Sequence, residues 1–427
     1  MLTYRRVLAV SGLPRLLATA LVARLPMGLT SLAILIVVRE ATGSFALAGT
    51  AVAAYSAASA LALPLLGGVA DRCGRRQVLL PCALLHSSLL LTLSLAARLG
   101  ASGTLLVGGA ALVGATLPPV SACLRSLWPQ LLPAPELRQS AYALDAIAQE
   151  VVFVSGPLLV ALAVAVLEAP DALIAAAAFA LAGTLGFVAV PAVRHARPSP
   201  RRPEGGRSAV SSAPLRTVLV AILLAGVYWG VLQVGISARA VDLSGPGLAG
   251  VLLALFSVGS FAGGLWYGSR SWRAGLVVRY AAAFAALAVA TLPLLVAGSA
   301  PAAGACALLA GSAFAPAVST EFQVLSEIAP AELLTEAFAW ASSAMVLGVA
   351  AGSVSAGWVI DRAGVTAALS VAPAAIALAA LWVALHRRGA LATGSASTRS
   401  TRPEESADHC GPSARRRRDR RHRADHR

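Results

Sequence analysis

The sequence predicts an all-α integral membrane protein whose twelve transmembrane helices form two pseudo-symmetric six-helix bundles. The composition is the first observation behind this prediction. Of the 427 residues, 58% are hydrophobic and 12% are charged, with mean hydropathy +0.77, so the chain has too much apolar surface for a soluble core. The apolar residues also fall into runs of membrane-spanning length. In addition, the second half of the sequence repeats features of the first half at a constant spacing.

Twelve apolar runs are each long enough to cross a bilayer as a helix, which takes about 20 residues. The first run follows Arg5, Arg6 and Arg15 and is too long for a signal-peptide core, so we expect it to remain as helix 1. In chain order, helices 1 to 12 are predicted at 16–38, 45–69, 77–97, 103–127, 141–167, 171–193, 217–238, 247–268, 274–297, 302–326, 336–360 and 365–386.

The arginines predict how the helices are oriented. Loops rich in Lys and Arg stay on the cytoplasmic side of a membrane. Placing the N-terminus inside also places most loop arginines inside, so both termini are expected in the cytoplasm. The expected location is the plasma membrane. We predict an N-terminal half at 1–193, a flexible cytoplasmic linker at 194–216, a C-terminal half at 217–387, and a disordered Arg-rich cytoplasmic tail at 388–427.

An internal repeat relates the two halves. At a constant offset of 196 residues, a glycine pair, an acidic helix start, an Ala-aromatic-Ala triplet and a further glycine recur. One offset that joins such distant sites without a gap indicates two duplicated six-helix units. The matched positions are Gly67-Gly68 with Gly263-Gly264, Glu136-Leu137 with Glu332-Leu333, Ala141-Tyr142-Ala143 with Ala337-Phe338-Ala339, and Gly156 with Gly352.

A charged stretch at 67–76, between helices 2 and 3, has the pattern G-x-x-x-D-R-x-G-R-R. A turn with this charge cannot lie in hydrocarbon, and its three arginines predict the cytoplasmic surface. The pattern resembles the signature between helices 2 and 3 of the major facilitator superfamily of secondary transporters, in particular its twelve-helix bacterial efflux-type members. Together with the repeat, the resemblance covers about 15–387. It implies a transporter that works by alternating access.

The resemblance also implies that the 67–76 loop lies against helix 11 and acts as a gate. We hypothesise that Asp71 pairs with Arg125, and that Arg270 pairs with Glu321, so that each half is braced at its inner end. The loop arginines could reach the acids that begin helix 11, although a solvated surface cluster that stabilises little is the alternative. The expected gating set is Gly67, Asp71, Arg72, Gly74, Arg75, Arg76, Arg125, Arg270, Glu321, Glu332 and Glu336.

Charges predicted inside the membrane are informative because each is costly unless it is paired or solvated. Arg24 in helix 1 and Glu150 in helix 5 have similar predicted depth, and the resemblance makes these helices neighbours, which permits a pair. Glu150 is then either a coupling carboxylate or half of a buried structural ion pair. Gly156-Pro157 is similar to the core of the family's antiporter signature and predicts a helix bend and close helix approach, although Val160-Ala161 stands where that signature has two glycines.

Several residues are candidates for the substrate cavity, which the resemblance places among helices 1, 4, 7 and 10. They are polar or aromatic breaks in aliphatic runs. The candidates are Tyr228, Trp229 and Gln233 in helix 7 and Gln323 in helix 10.

The sequence offers no catalytic, phosphate-binding or metal-binding constellation, so we expect no enzyme activity, no cofactor and no metal. It predicts a secondary active transporter of a small molecule, with export favoured and protons as the candidate coupling ion. An importer or uniporter of the same fold, or a membrane sensor that does not transport, remains the alternative. Membrane lipids are expected partners, nucleic acid is not, and a monomer is expected.

Overall fold

The computed structural model describes residues 2–194, 208–244 and 247–387, and within these ranges the secondary structure is helical throughout. Eleven helices are long and apolar enough to cross a membrane. The last of them, Leu334–His386, has 53 residues, whereas about 20 span a bilayer. Gly364 interrupts it with φ 83° and ψ 171°, a conformation open to glycine, and so divides it into helices 11 and 12. The predicted twelve-helix fold is confirmed.

The observed helices extend most predicted runs by a few residues. A short helix, Leu2–Leu8, precedes helix 1, and a 3-10 turn, Leu292–Val296, continues helix 9. Helices 1 to 6 are Leu13–Thr42, Phe45–Cys73, Arg75–Arg98, Gly103–Leu131, Pro135–Val166 and Ala169–Ala189. Helices 7 to 10 are Ala213–Ser244, Gly247–Gly268, Leu276–Thr291 and Ala300–Ile328.

Helix 4 differs from the single run that the sequence predicts. It consists of three pieces, Gly103–Ala115, Val120–Arg125 and Trp128–Leu131. The first break contains Pro118 and Pro119, which have no backbone N–H to donate and so interrupt the helical hydrogen bonds.

The two halves use the same internal packing. Helix 2 packs on helix 4 as helix 8 packs on helix 10, and helix 1 packs on helix 5 as helix 7 packs on helix 11. At the repeat-equivalent positions Gly156 and Gly352, a Cβ would lie 2.3 Å from the backbone of helix 1 or helix 7. The close helix approach predicted at Gly156 is therefore present, and the predicted bend at Pro157 stays a prediction, since helix 5 runs on through it.

One end of the bundle carries the start of helix 5, the helix 8–9 loop, the start of helix 11 and the turn between helices 2 and 3; we call it the linker face. The predicted ten-residue loop at 67–76 is almost entirely helical. Helix 2 continues to Cys73 and helix 3 starts at Arg75, because Gly74 alone makes the turn at φ 98°. Gly67, Asp71 and Arg72 therefore lie on the last turns of helix 2.

The linker ends earlier than the predicted range 194–216, because its C-terminal part is helical. A 3-10 turn occupies Ala209–Ser211, and helix 7 already begins at Ala213. The predicted tail at 388–427 lies outside the described residues.

Candidate functional site

The two halves meet at the linker face along two seams, and the first joins helix 2 to helix 11. Asp71 Oδ1 accepts a hydrogen bond from the Thr335 backbone N–H at 3.2 Å, and its Oδ2 accepts one from the Glu336 N–H at 2.9 Å. Free N–H groups and the positive end of the dipole make a helix start a favourable partner for a carboxylate. Asp71 is 6% exposed. It thus caps helix 11 across the two halves.

A chain of hydroxyl groups continues the first seam. Thr335 Oγ1 donates to Ser126 Oγ at 2.9 Å, and Ser126 donates in turn to the carbonyl of Cys123. Arg75 is buried and donates to the same Ser126 oxygen from Nε and Nη2, at 3.3 and 3.2 Å. Gly67 lies so close to helix 11 that a Cβ would come 2.9 Å from the Thr335 carbonyl oxygen.

Glu336, next to this cap, binds the described end of the inter-half linker. Its carboxylate accepts hydrogen bonds from the Ser208 hydroxyl and, at 3.0 Å, from the Ala209 backbone N–H. The segment that connects the halves is thus attached beside the Asp71 cap. Arg72 and Arg76 are exposed, and the structure gives neither of them, nor Glu332, an ion pair among the described residues, so their part in a gate stays a prediction.

The second seam joins helix 5 to the end of helix 8. Ser140 Oγ donates to the Gly268 carbonyl at 2.6 Å, and Gln139 Nε2 donates to the carbonyls of Tyr267 and Arg270 at 3.0 and 2.9 Å. Arg279 Nη1 donates to Gln139 Oε1 at 2.8 Å and so fixes the orientation of the amide. The free carbonyls at a helix end are natural acceptors for such donors.

The N-terminal helix Leu2–Leu8 adds a further contact at this seam. The Tyr4 hydroxyl donates to the Gly264 carbonyl at 2.8 Å. Burial raises the pKa of Tyr4 above its ordinary value, so the phenol stays protonated and keeps its hydrogen for this bond.

A buried charged network, which we call the arginine cluster, lies deeper in the N-terminal half. It consists of Arg24, Arg125, Asp145 and Gln149. Arg24 Nη1 contacts Asp145 Oδ1 at 2.5 Å, and Arg125 Nε contacts Asp145 Oδ2 at 2.6 Å. Arg125 Nη2 also donates to Gln149 Oε1 at 2.5 Å. Asp145 thus bridges helices 1 and 4.

The arginine cluster corrects two hypothesised pairs. Arg24 pairs with Asp145 instead of Glu150 because residues five apart differ by about 140° around a helix, so the two acids of helix 5 face different neighbours. Arg125 likewise pairs with Asp145 instead of Asp71, since the helix 11 start already satisfies Asp71.

The hypothesised Arg270–Glu321 pair is also not formed among the described residues. The Arg270 guanidinium lies instead 5.0 Å from the ring centre of Trp266, which belongs to helix 8. Glu321 is buried in helix 10. Arg125 itself lies 3.7 Å over the ring of Phe322, which brings the arginine cluster into contact with the C-terminal half.

Glu150 faces the other half directly. Its Oε2 accepts a hydrogen bond from Ser257 Oγ of helix 8 at 3.2 Å, and the side chain is 8% exposed. This contact lies near the membrane centre, since Glu150 is about 22 Å along helix 5 from its first residue.

The four predicted cavity residues have different surroundings. Tyr228 is fully buried and its hydroxyl contacts Thr291 of helix 9 at 3.2 Å, so it packs within its half instead of lining a cavity. Trp229 is half-buried and stacks on Phe314 at 5.0 Å, and Gln233 is half-buried. Gln323 lines a small cavity of about 110 Å³ at the linker face instead of the membrane centre.

Sequence reasoning missed Asp145, Gln139 and Ser140. An acid within an apolar run signals a paired charge, and this signal applies to Asp145 as well as to Glu150. The repeat offset sets Gln139 and Ser140 against Thr335 and Glu336, so the first seam itself points to the second.

The fold and these seams define a class of protein: a two-bundle membrane protein whose halves are joined by side-chain hydrogen bonds at one end. The model of the Major Facilitator Superfamily matches residues 16–333, and the chain belongs to this family of membrane transporters. A search of curated proteins gives no match.

Solved structures of the same fold include several transporters. A bacterial homologue of the iron transporter ferroportin, in an outward-facing state, is 16% identical over 87% of this chain and 98% of its own, with TM-score 0.70. The E. coli fucose:proton symporter is 16% identical over 87% and 97%, with TM-score 0.67. The human organic anion transporter MFSD10 is 19% identical over 89% and 99%, with TM-score 0.62. At these identities the likeness shows the fold.

Proposed function

We propose that this chain is a secondary active transporter that exports a small molecule from the cytoplasm by alternating access and exchanges it for protons. One observation carries the proposal. Among the described residues, the side-chain hydrogen bonds between the halves lie at the linker face or near the membrane centre, the deepest being Ser343 with Ala60 and Ser257 with Glu150. Such a bundle is closed at the linker face and can part at the opposite face.

The arginines support a cytoplasmic linker face, because Arg72, Arg76 and Arg273 are exposed there. The described conformation is then closed to the cytoplasm. Alternating access requires both seams to break in the opposite state, and a substrate drives that change only through its different affinity for the two states.

Proton exchange is supported by Glu150. Its carboxyl group is buried and contacts Ser257 across the halves, so its surroundings change when the halves move. A carboxyl group in this position can take a proton from one side of the membrane and release it to the other. The partial antiporter signature at Gly156-Pro157, with Gly156 packed against Gly28, supports export over import.

The test uses purified protein in proteoliposomes, with a compound identified by counterflow from a panel. Glu150→Gln is expected to abolish net flux driven by a pH gradient and to spare exchange between substrate molecules, since exchange needs no net proton movement. Glu168→Gln is the matched control, because Glu168 pairs with Arg98 in an exposed loop. We expect this variant to retain both activities.

Full pH-driven flux in Glu150→Gln would show that Glu150 does not couple transport to protons. Absence of counterflow for every compound of the panel would favour a membrane sensor that does not transport. Flux that runs inward with an imposed inward proton gradient would identify an importer instead.

A further inference from the structure

We propose that the substrate carries an acidic group, a carboxylate or a phosphate, and that Arg24 and Arg125 of the arginine cluster bind it. This inference rests on the proposed transport function and names the substrate class. It concerns residues that the hydrogen-bonded seams do not use.

The charges of the cluster are the first reason. Two guanidinium groups share the single carboxylate of Asp145, and the exposed fractions of Arg24, Arg125 and Asp145 are 3%, 4% and 0%. A buried charge without a counter-ion is strongly unfavourable. The cluster therefore has one positive charge more than its hydrogen-bonded partners neutralise, and an incoming anion would supply the missing negative charge.

The hydrogen-bond donors of Arg24 are the second reason. Its Nη1 donates to Asp145, whereas its Nε and Nη2 are buried and have no hydrogen-bond partner among the described residues. Buried donors without acceptors are rare in proteins and costly. A guanidinium fork matches the paired oxygens of a carboxylate or phosphate, so one oxyanion can satisfy both nitrogens.

The position of the cluster indicates how an anion reaches it. Phe322 covers Arg125 from helix 10, and the Tyr142 ring packs on Phe322 and Phe338 at 6.2 Å between centres. These rings belong to both halves. When the linker face opens, the halves separate at these rings and the guanidinium groups are uncovered, so the anion enters from the linker face, as export requires.

Two further acids lie on helices that carry or contact the cluster. Glu321 of helix 10 precedes Phe322, whose ring Arg125 covers, whereas Glu150 of helix 5 faces Ser257. An anion that leaves and a proton that enters both move positive charge inward, so an inside-negative potential drives this exchange.

The test measures the thermal stabilisation of the purified full chain in lipid nanodiscs. The probes are benzoate, succinate and inorganic phosphate, each compared with chloride at equal ionic strength, and benzamide and succinamide serve as neutral counterparts. We expect the anions to raise Tm and the amides to leave it unchanged. Stabilisation by benzoate or succinate alone would assign a carboxylate, and stabilisation by phosphate alone would assign a phosphate group.

Four variants connect the binding to the cluster. Arg24→Gln is expected to weaken the apparent affinity about 10-fold or more, the loss for a charge-assisted hydrogen bond, and Arg24→Lys less so. Arg125→Gln should also weaken it, because Arg125 supplies the second guanidinium of the cluster. Arg98→Gln is the matched control, since Arg98 ends helix 3 and pairs with Glu168 and Asp171 at the start of helix 6, away from the cluster, and its affinity should not change.

Failure of all three anions to stabilise the wild-type protein would overturn the proposal, as would equal affinities of Arg24→Gln and Arg98→Gln. If Arg24→Gln does not fold, Arg24→Lys and Arg125→Gln decide the outcome, and unchanged affinity in both would contradict it. Binding is measured without flux, so counterflow of neutral compounds alone would overturn the anion site and leave the transport function intact.

Discussion

Replacing Asp71 by asparagine tests whether the first seam controls access to the linker face. The carboxylate accepts one backbone hydrogen bond on each oxygen, from Thr335 and Glu336. An asparagine of the same size has one acceptor oxygen and a donor NH2 group. One of the two helix 11 N–H groups therefore loses its acceptor, and the helix start loses the nearby negative charge.

The expected change in energy follows from these contacts. A hydrogen bond to a charged group contributes about 1.5–3 kcal/mol, and a charge at a helix end about 0.3–1 kcal/mol. Because the amide keeps one of the two bonds, we expect a net loss of about 1–3 kcal/mol from the closed state. This loss shifts the ratio of the two states about 5- to 150-fold. Turnover falls severely because the linker face no longer stays closed.

The assay uses Cys123 as the only cysteine, with Cys73, Cys82, Cys306 and Cys410 replaced by serine. Cys123 is fully buried, and its carbonyl accepts from Ser126 in the first seam. In Asp71→Asn, labelling of Cys123 by a membrane-permeant maleimide should rise in proportion to the open population, with normal membrane insertion.

Tyr267→Phe is the control at the repeat-equivalent position. The Tyr267 hydroxyl contacts Arg279 and Thr320, which both belong to its own half, whereas its backbone carbonyl makes the contact with Gln139. Removing the hydroxyl leaves the second seam in place. Equal labelling in the two variants, or unchanged labelling in Asp71→Asn, would refute a gating role for the first seam.

Three further predictions follow from burial and packing. Asp145→Asn should lower Tm well beyond Glu150→Gln, because it leaves two buried guanidinium groups without their carboxylate, at about 3–5 kcal/mol; equal Tm values would contradict this. Gly156→Ala should prevent folding, since its Cβ would lie 2.3 Å from the Gly28 carbonyl carbon, whereas Gly108→Ala has nothing within 4 Å and should fold normally; expression and gel filtration compare the two. Truncation after residue 390 should leave insertion and flux intact, because the removed sequence has no apolar periodicity; lost flux at normal expression would give the tail a transport role.

The membrane-spanning helices could be predicted from the sequence because bilayer thickness sets the apolar length that each one needs, and the internal repeat then indicated two bundles. Helix 8 matches its predicted bounds at both ends, and helices 2 and 3 differ from theirs by a few residues at the charged turn. The turn is shorter than the predicted 67–76 loop because charge marks the membrane surface, while a helix can extend beyond that surface. Gly74 ends helix 2 by its backbone conformation, which charge patterning does not reveal.

Ion pairs could not be predicted in the same way. Depth along a helix can be counted from the sequence, but the direction in which a side chain points depends on helix rotation, and several partners of equal depth compete. Arg24 had two acids of helix 5 within reach, and Asp145 is its partner since it also contacts Arg125. The Asp71 cap depends on backbone groups of helix 11, which no side-chain pairing rule considers.

The repeat explains why two seams of different chemistry can close one face. In both seams the donors lie at a helix start and the acceptors at a helix end, as the free N–H and C=O groups of helices require. The first seam uses the backbone N–H groups of helix 11 and adds the acid Asp71; the second uses the backbone carbonyls of helix 8 and adds the donors Gln139 and Ser140. Duplicated halves therefore needed only different side chains on the same helix ends. Because the acid belongs to the first seam alone, Asp71→Asn weakens the closed state through that seam only, without changing any donor or acceptor of the second.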